Sequence, residues 1–316
     1  MKSDANHPTE QPDSSSLVVG HDASLPRTPQ LRKQLEASVK RAGRSFWKQP
    51  LVLVGLGIIA FWITVGFAAP WIPGLDPFAQ ASPRFMPPSR EHWMGTDALG
   101  RDMLSRVVFG VRITLPYALI IVTAGVAIGA LVGSVAGYAG GAVDEFLMRA
   151  TDIVFAVPSI VLAMTVAAAL GPGLRNATIA IIIVAWPPTA RIVRSMVLSL
   201  RTRNYVSAHQ LLGAGPVRTM RMDFTPNMIG PVAVLAMIEV GERVLLLSAL
   251  SFLGLGAQPP VAEWGRMVAD GARILDRWWI ATFPGFAILS AVLAFNLVGD
   301  TLRDVLDPQV SKQMKG

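Results

Sequence analysis

A chain of 316 residues that is 52% hydrophobic and 16% charged, with a mean hydropathy of +0.47, is too apolar for a soluble domain, in which roughly a quarter of the residues carry charge. The absence of cysteine excludes disulfides, thiolate chemistry and any Cys-ligated metal. The net charge of +7 is spread along the polar segments, which points to lipid headgroups and membrane topology rather than to nucleic acid.

Residues 1–45 are rich in Ser, Pro, Asp and Asn and read as a flexible cytoplasmic tail. Lys33, Lys40, Arg41, Arg44 and Lys48 form a basic interfacial segment ahead of the first apolar run. That run starts near residue 51, too deep for a cleaved signal peptide. From there, six spans are expected over about 51–72, 113–138, 152–171, 176–197, 228–250 and 279–300, inside one membrane domain of residues 46–310. The runs are continuous rather than alternating, which excludes a membrane barrel. Gly125, Gly129 and Gly133 stand four apart in the second span, a spacing that permits close helix contact. Pro158, Pro187 and Pro188 are expected to kink the third and fourth.

Between the fourth and fifth spans lies the most unusual segment, 200–226, which is polar, basic and long enough for two short helices joined at Gly213-Ala214-Gly215-Pro216. Gly213 suits a positive φ, and Pro216 suits the start of a helix. Val206, Leu211 and Leu212 give the first helix an apolar ridge. Such an element either docks another protein or lies on lipid headgroups. The fifth span carries Glu239, Glu242 and Arg243, although an ionisable group near mid-membrane costs roughly 2.5–3.5 kcal/mol on insertion scales. Glu239 and Arg243 are i,i+4 and can pair, which leaves Glu242 without a partner on its own helix. These three and Asn296 of the last span are candidates for a substrate path. The competing readings are a structural ion pair and, for Asn296, helix packing. Residues 311–316 form a short C-terminal tail.

Six spans place both termini on one side. That side holds eighteen Lys and Arg against nine on the other, so the termini are expected in the cytoplasm. No Gly is followed by Lys, so there is no phosphate-cradling P-loop, and neither H-E-x-x-H nor G-x-S-x-G occurs. The four histidines are scattered. No catalytic residue, metal site or bound cofactor is expected on this chain. A reading from another class, a membrane enzyme or assembly factor, would use Glu263, Asp270 and Asp276 of the 256–277 loop for acid/base work.

Several long motifs then agree in order. His92-Trp93-Met94-Gly95-Thr96-Asp97-Ala98-Leu99-Gly100-Arg101-Asp102 is followed by Ala249-Leu250-Ser251-Phe252-Leu253-Gly254-Leu255-Gly256, Gln258-Pro259-Pro260 and Trp264-Gly265. Ala294-Phe295-Asn296-Leu297-Val298-Gly299-Asp300 and Leu306-Asp307-Pro308 close the series. Over 46–310 the chain resembles the inner-membrane permease subunits of ABC importers of the dipeptide/oligopeptide/nickel group. The resemblance implies an all-α, six-span, type I importer fold in a bacterial inner membrane, working by alternating access. It implies a homologous second permease as heterodimer partner and two ATPase subunits that carry ATP and Mg. It also implies a periplasmic substrate-binding protein. Short peptides are the implied cargo, with nickel complexes, glutathione and opine-type solutes as alternatives. Residues 200–226 resemble the family's Glu-Ala-Ala coupling loop, which implies ATPase contact through Tyr205, Ala208, His209, Leu212, Gly213, Ala214 and Pro226. Here Ser207-Ala208-His209 replaces Glu-Ala-Ala, and Asp223 stands where the family has His. The outer-loop motifs imply a binding-protein contact at Asp97, Arg101, Gln258 and Trp264.

Overall fold

The computed structural model describes residues 49–306, so the expected tails at 1–45 and 311–316 fall outside them. Among the described residues there are ten α-helices and no β-strand, only an isolated bridge between Thr96 and Asp102. Helix α1 (Pro50–Ala68) runs into a 3₁₀ turn at Ala69–Trp71. Helix α2 (Met103–Ala139) is capped by Asp102, whose carboxylate accepts the Ser105 amide at 2.7 Å. Then come α3 (Gly141–Phe155), α4 (Ser159–Leu170) and α5 (Leu174–Arg201). Helix α6 (Asn204–Leu211), the single turn α7 (Pro216–Thr219) and a π-helical turn (Met220–Phe224) lead into α8 (Thr225–Phe252). The short α9 (Trp264–Ala272) and the long α10 (Trp279–Leu306) complete the chain.

Helices α1, α2, α5 and α10 are each long and apolar enough to cross a membrane, and α3 with α4 make a fifth if taken as one span. Six continuous spans therefore need two amendments. The third is broken, with α3 and α4 meeting at 88°. Pro158 sits at the break, where its ring disfavours a helical Val157 and its missing N–H removes a helix bond. The twelve residues of α4 reach only about 18 Å, short of the ~30 Å hydrocarbon core. The expected fifth span, α8, has the length to cross but carries Glu239, Glu242 and Arg243 and does not count as an apolar one. Pro187 and Pro188, by contrast, lie inside the continuous helix α5.

Glycines set the closest helix contact. A Cβ on Gly125 would lie 2.9 Å from the Ala185 Cβ, and one on Gly129 2.5 Å from the Trp186 carbonyl oxygen. One on Gly137 would lie 2.8 Å from the Val197 Cβ. The stripe four residues apart thus brings α2 against the backbone of α5, the packing by which small residues hold helices together in lipid. Three buried clusters follow. One runs from Trp62, Met103, Trp264 and Trp279 down through Val240, Val244, Ala291 and Phe295. A second joins Ile121, Ala163, Ile181, Leu247 and Leu250. The third, Val193, Val197, Val206, Phe224 and Met228, fastens the 202–224 segment to α5 and α8.

Candidate functional site

The segment between α5 and α8 is a folded arm. Val206 and Phe224 are both fully buried, and Phe224 stacks near Tyr138 of α2 with ring centroids 6.2 Å apart. Arg201 at the end of α5 donates to the carbonyls of Gly137 and Tyr138 at 3.3 and 3.2 Å. The base of the arm therefore grips three long helices. Its tip does the opposite. Leu211, Leu212 and Val217 are 89, 85 and 81% exposed. The arm turns at Gly213, where φ is +86°, and the Ala214 amide closes that turn on the His209 carbonyl at 3.0 Å.

The expected ATPase-contact residues are gathered on this arm. Tyr205 is 42% exposed, with its hydroxyl 3.5 Å from the Asn227 amide nitrogen. Ala208, His209, Leu212, Gly213 and Pro226 are also exposed, and Ala214 is half-buried. Two of the three positions that depart from the resembled coupling-loop pattern, His209 and Asp223, meet: Nδ1 of His209 lies 2.7 Å from Oδ1 of Asp223. The substituted positions face each other across the turn, a pairing that reading the two substitutions separately did not reveal.

In α8 the buried Arg243 reaches both acids, its Nη2 lying 3.4 Å from Oε2 of Glu239 and its Nη1 donating to Oε1 of Glu242 at 3.0 Å. Glu242, expected to lack a partner on its own helix, has one next door in sequence. Glu239 is also buried and accepts from the Thr189 hydroxyl of α5 at 3.3 Å. Glu239 and Arg243 are thus an internal pair, whereas the Glu242 side chain remains 60% exposed. Asn296 is exposed and sits against Gly241, where its Oδ1 lies 2.8 Å from the position a Cβ would take. Two further pairs join α3 to α5. Arg194 clasps Asp144 with two bonds of 2.5 and 2.6 Å, and Arg191 meets Asp152 at 2.5 Å.

The residues expected to touch a binding protein are less exposed than a surface contact would suggest. Trp264 has no exposure; its indole donates to the Val107 carbonyl at 2.9 Å and packs on Trp62. Asp97 and Arg101 are 6 and 7% exposed and are joined at 2.7 Å. Gln258 is half-buried and donates to the Gly254 and Gly256 carbonyls. An indole and a paired charge are cheaper inside than on a wet surface: Trp264 is a core residue, Asp97 and Arg101 line a cleft between the loop before α2 and helix α9, and Gln258 ties its own loop together.

The three acids of the 256–277 loop are each engaged separately. Glu263, fully buried, caps α9 by accepting the Gly265 and Arg266 amides at 3.0 and 2.8 Å. Burial pushes its carboxyl above the ordinary range, against the pull of those amides. Asp270 pairs with Arg266 at 3.2 Å, and Asp276 with Arg277 at 3.4 Å. They do not form a shared acid/base set. Among the described residues no three of the His, Asp and Glu side chains gather as metal ligands.

Comparison with known proteins gives a consistent result. Residues 129–312 match the model of the family described as binding-protein-dependent transport system inner membrane component. A probable D,D-dipeptide transport system permease protein of Escherichia coli is 42% identical over 262 residues, covering 82% of this chain and 88% of that protein. A dipeptide transport system permease protein of Alkalihalophilus pseudofirmus is 41% identical over 274 residues, covering 86% and 90%. One of Bacillus subtilis is 35% identical over 286 residues, covering 87% and 89%.

Proposed function

This chain belongs to the family of inner membrane components of binding-protein-dependent transport systems, a multi-pass permease, and we propose that it carries short peptides inward as one half of an ATP-driven pathway. The observation that supports a separate motor is the arm between α5 and α8, buried at its base and apolar at its tip. Covering Leu211, Leu212 and Val217 is worth on the order of 4.5–9 kcal/mol gross at 1.5–3 kcal/mol per side chain, before the costs of association. A lipid-facing amphipathic helix would not need Val206 and Phe224 buried against α5 and α8. The arm therefore fits a groove on an ATPase subunit in the cytoplasm, and ATP and Mg belong to that subunit.

In this reading ATP closes a pair of ATPase subunits, the arm carries their motion into α2, α5 and α8, and the spans re-pack to alternate access. A homologous permease completes the path. Glu242 faces it, where a carboxylate attracts the cationic amine of a peptide. A periplasmic binding protein delivers the cargo to the opposite face. The relatives named for dipeptide transport support peptide as cargo. Uptake of a radiolabelled dipeptide by cells with and without the chain tests this. The expected result is uptake that needs both this chain and a co-purifying ATPase. Accumulation of the dipeptide at an equal rate without the chain would overturn it.

A further inference from the structure

The face opposite the arm holds a cleft lined in part by Asp97 and Arg101. Helix α8 starts at the arm and ends at Phe252, and α2 likewise runs from Met103 on this face to the Gly137 region beside the arm. A ligand seated here would not compete with a motor. The cleft, of about 300 Å³, lies between the loop before α2 and helix α9, with room for one side chain and a few waters at roughly 30 Å³ per water.

Its charge is unbalanced. Four guanidinium groups, of Arg101, Arg106, Arg266 and Arg273, line it with only two carboxylates, Asp97 and Asp270. Asp97 is divided between Arg101 at 2.7 Å and Arg106 at 3.6 Å, all three side chains being nine-tenths buried. Asp270 serves Arg266 at 3.2 Å, and Nε of Arg266 makes no hydrogen bond there. Arg273 is exposed at the rim, with no acid at ion-pair distance among the described residues. Two positive charges are thus left over in a site also walled by Ile274 and Ile280, where low dielectric strengthens attraction for an anion. Guanidinium forks match the planar geometry of a carboxylate.

We propose that this cleft receives a carboxylate side chain, an Asp or Glu, from the binding protein that docks on this face. The inference rests on the proposed function above, in which such a protein delivers cargo. Charge complementarity selects the occupant. The span-level charge exposed toward the path is Glu242, of opposite sign, so the cleft does not extend the cargo's route.

The test uses the assembled importer in lipid nanodiscs and its cognate binding protein, with affinity measured from 50 to 300 mM NaCl. Arg273 is exposed and unpaired, so Arg273→Glu leaves the fold intact. It is expected to weaken docking about tenfold and to flatten the salt dependence, whereas Arg273→Lys recovers most of the affinity. Arg90→Glu, exposed in the loop before α2 but not lining the cleft, should change affinity less than twofold. Glutarate should displace the binding protein more strongly than NaCl of equal ionic strength. Unchanged affinity of Arg273→Glu, with the wild-type importer binding normally, overturns the cleft assignment alone. If glutarate also raises the melting temperature of that wild type, the cleft holds free anions instead. Failure of the wild type to bind any binding protein removes the transport reading and this inference with it.

Discussion

Gly213 offers the sharpest test of the arm because conformation and space separate cleanly there. Its φ is +86°, and a Cβ built on it would meet no atom within 4 Å. Any cost of substitution is therefore backbone strain rather than collision. An L-residue other than Gly, Asn or Asp held in the left-handed region loses about 1–2 kcal/mol, which is a factor of about 5–30 in the population of the turn. Loops without the turn cannot present Leu211 and Leu212 together, so docking to the ATPase should weaken by the same factor. Gly213→Asn should stay near wild type, because Asn tolerates the left-handed region. Gly213→Ala should lie between it and Gly213→Val, where a β-branched side chain makes the strain worst. The measurements are ATPase co-purification and dipeptide uptake at matched membrane levels. Equal docking by the Val and Asn variants would refute the argument, since no steric difference remains to hide behind.

Other expectations follow from the same geometry. Arg243→Gln leaves Glu239 buried with no cation and should cost about 3–5 kcal/mol, read as a lower melting temperature in detergent. Glu242→Gln, at an exposed side chain, should assemble normally but change uptake kinetics; kinetics identical to wild type would take Glu242 off the path. Gly129→Ala should destabilise by about 1–3 kcal/mol through overpacking against α5, whereas Gly57→Ala, with open space around it, should be neutral or gain up to ~1 kcal/mol of helix propensity. The two changes are compared by thermal unfolding, and equal shifts would contradict the glycine contact. Glu263 is held above its ordinary value of 4.5, so its contribution to stability is full below that value and is lost as pH rises through the higher folded one. Glu263→Gln should remove that fall from the difference in melting temperature with pH between variant and wild type. Parallel curves would show that the group does not titrate in the fold.

The amino-acid pattern made the helical membrane class and the arm legible, because long apolar runs and a polar interruption are local signals. Gly213 was legible for the same reason. The break at Pro158 was visible as a proline, but neither its 88° size nor the pairing of Asp144 and Asp152 of α3 with α5 was. Pairs far apart in sequence were hidden. Neither His209 with Asp223 nor Thr189 with Glu239 follows from spacing, since each needs two elements brought together by packing. The outer-loop motifs did not disclose that Trp264 and Asp97 are buried. A motif says that a residue matters and does not say whether it faces solvent or core, and burial decided for core.

Helix α2 has 37 residues, about 55 Å from end to end at 1.5 Å per residue. One end carries Met103 against Trp264 beneath the arginine-lined cleft, and the other lies beside Phe224 at the base of the arm. No loop interrupts it, and the glycine stripe leaves little slack against its neighbour. In the proposed transport cycle such a helix would act as a push-rod in one piece. A tug at its inner end would then be felt at its outer end, and arrival of a carrier above would be announced below without a relay of intermediate steps.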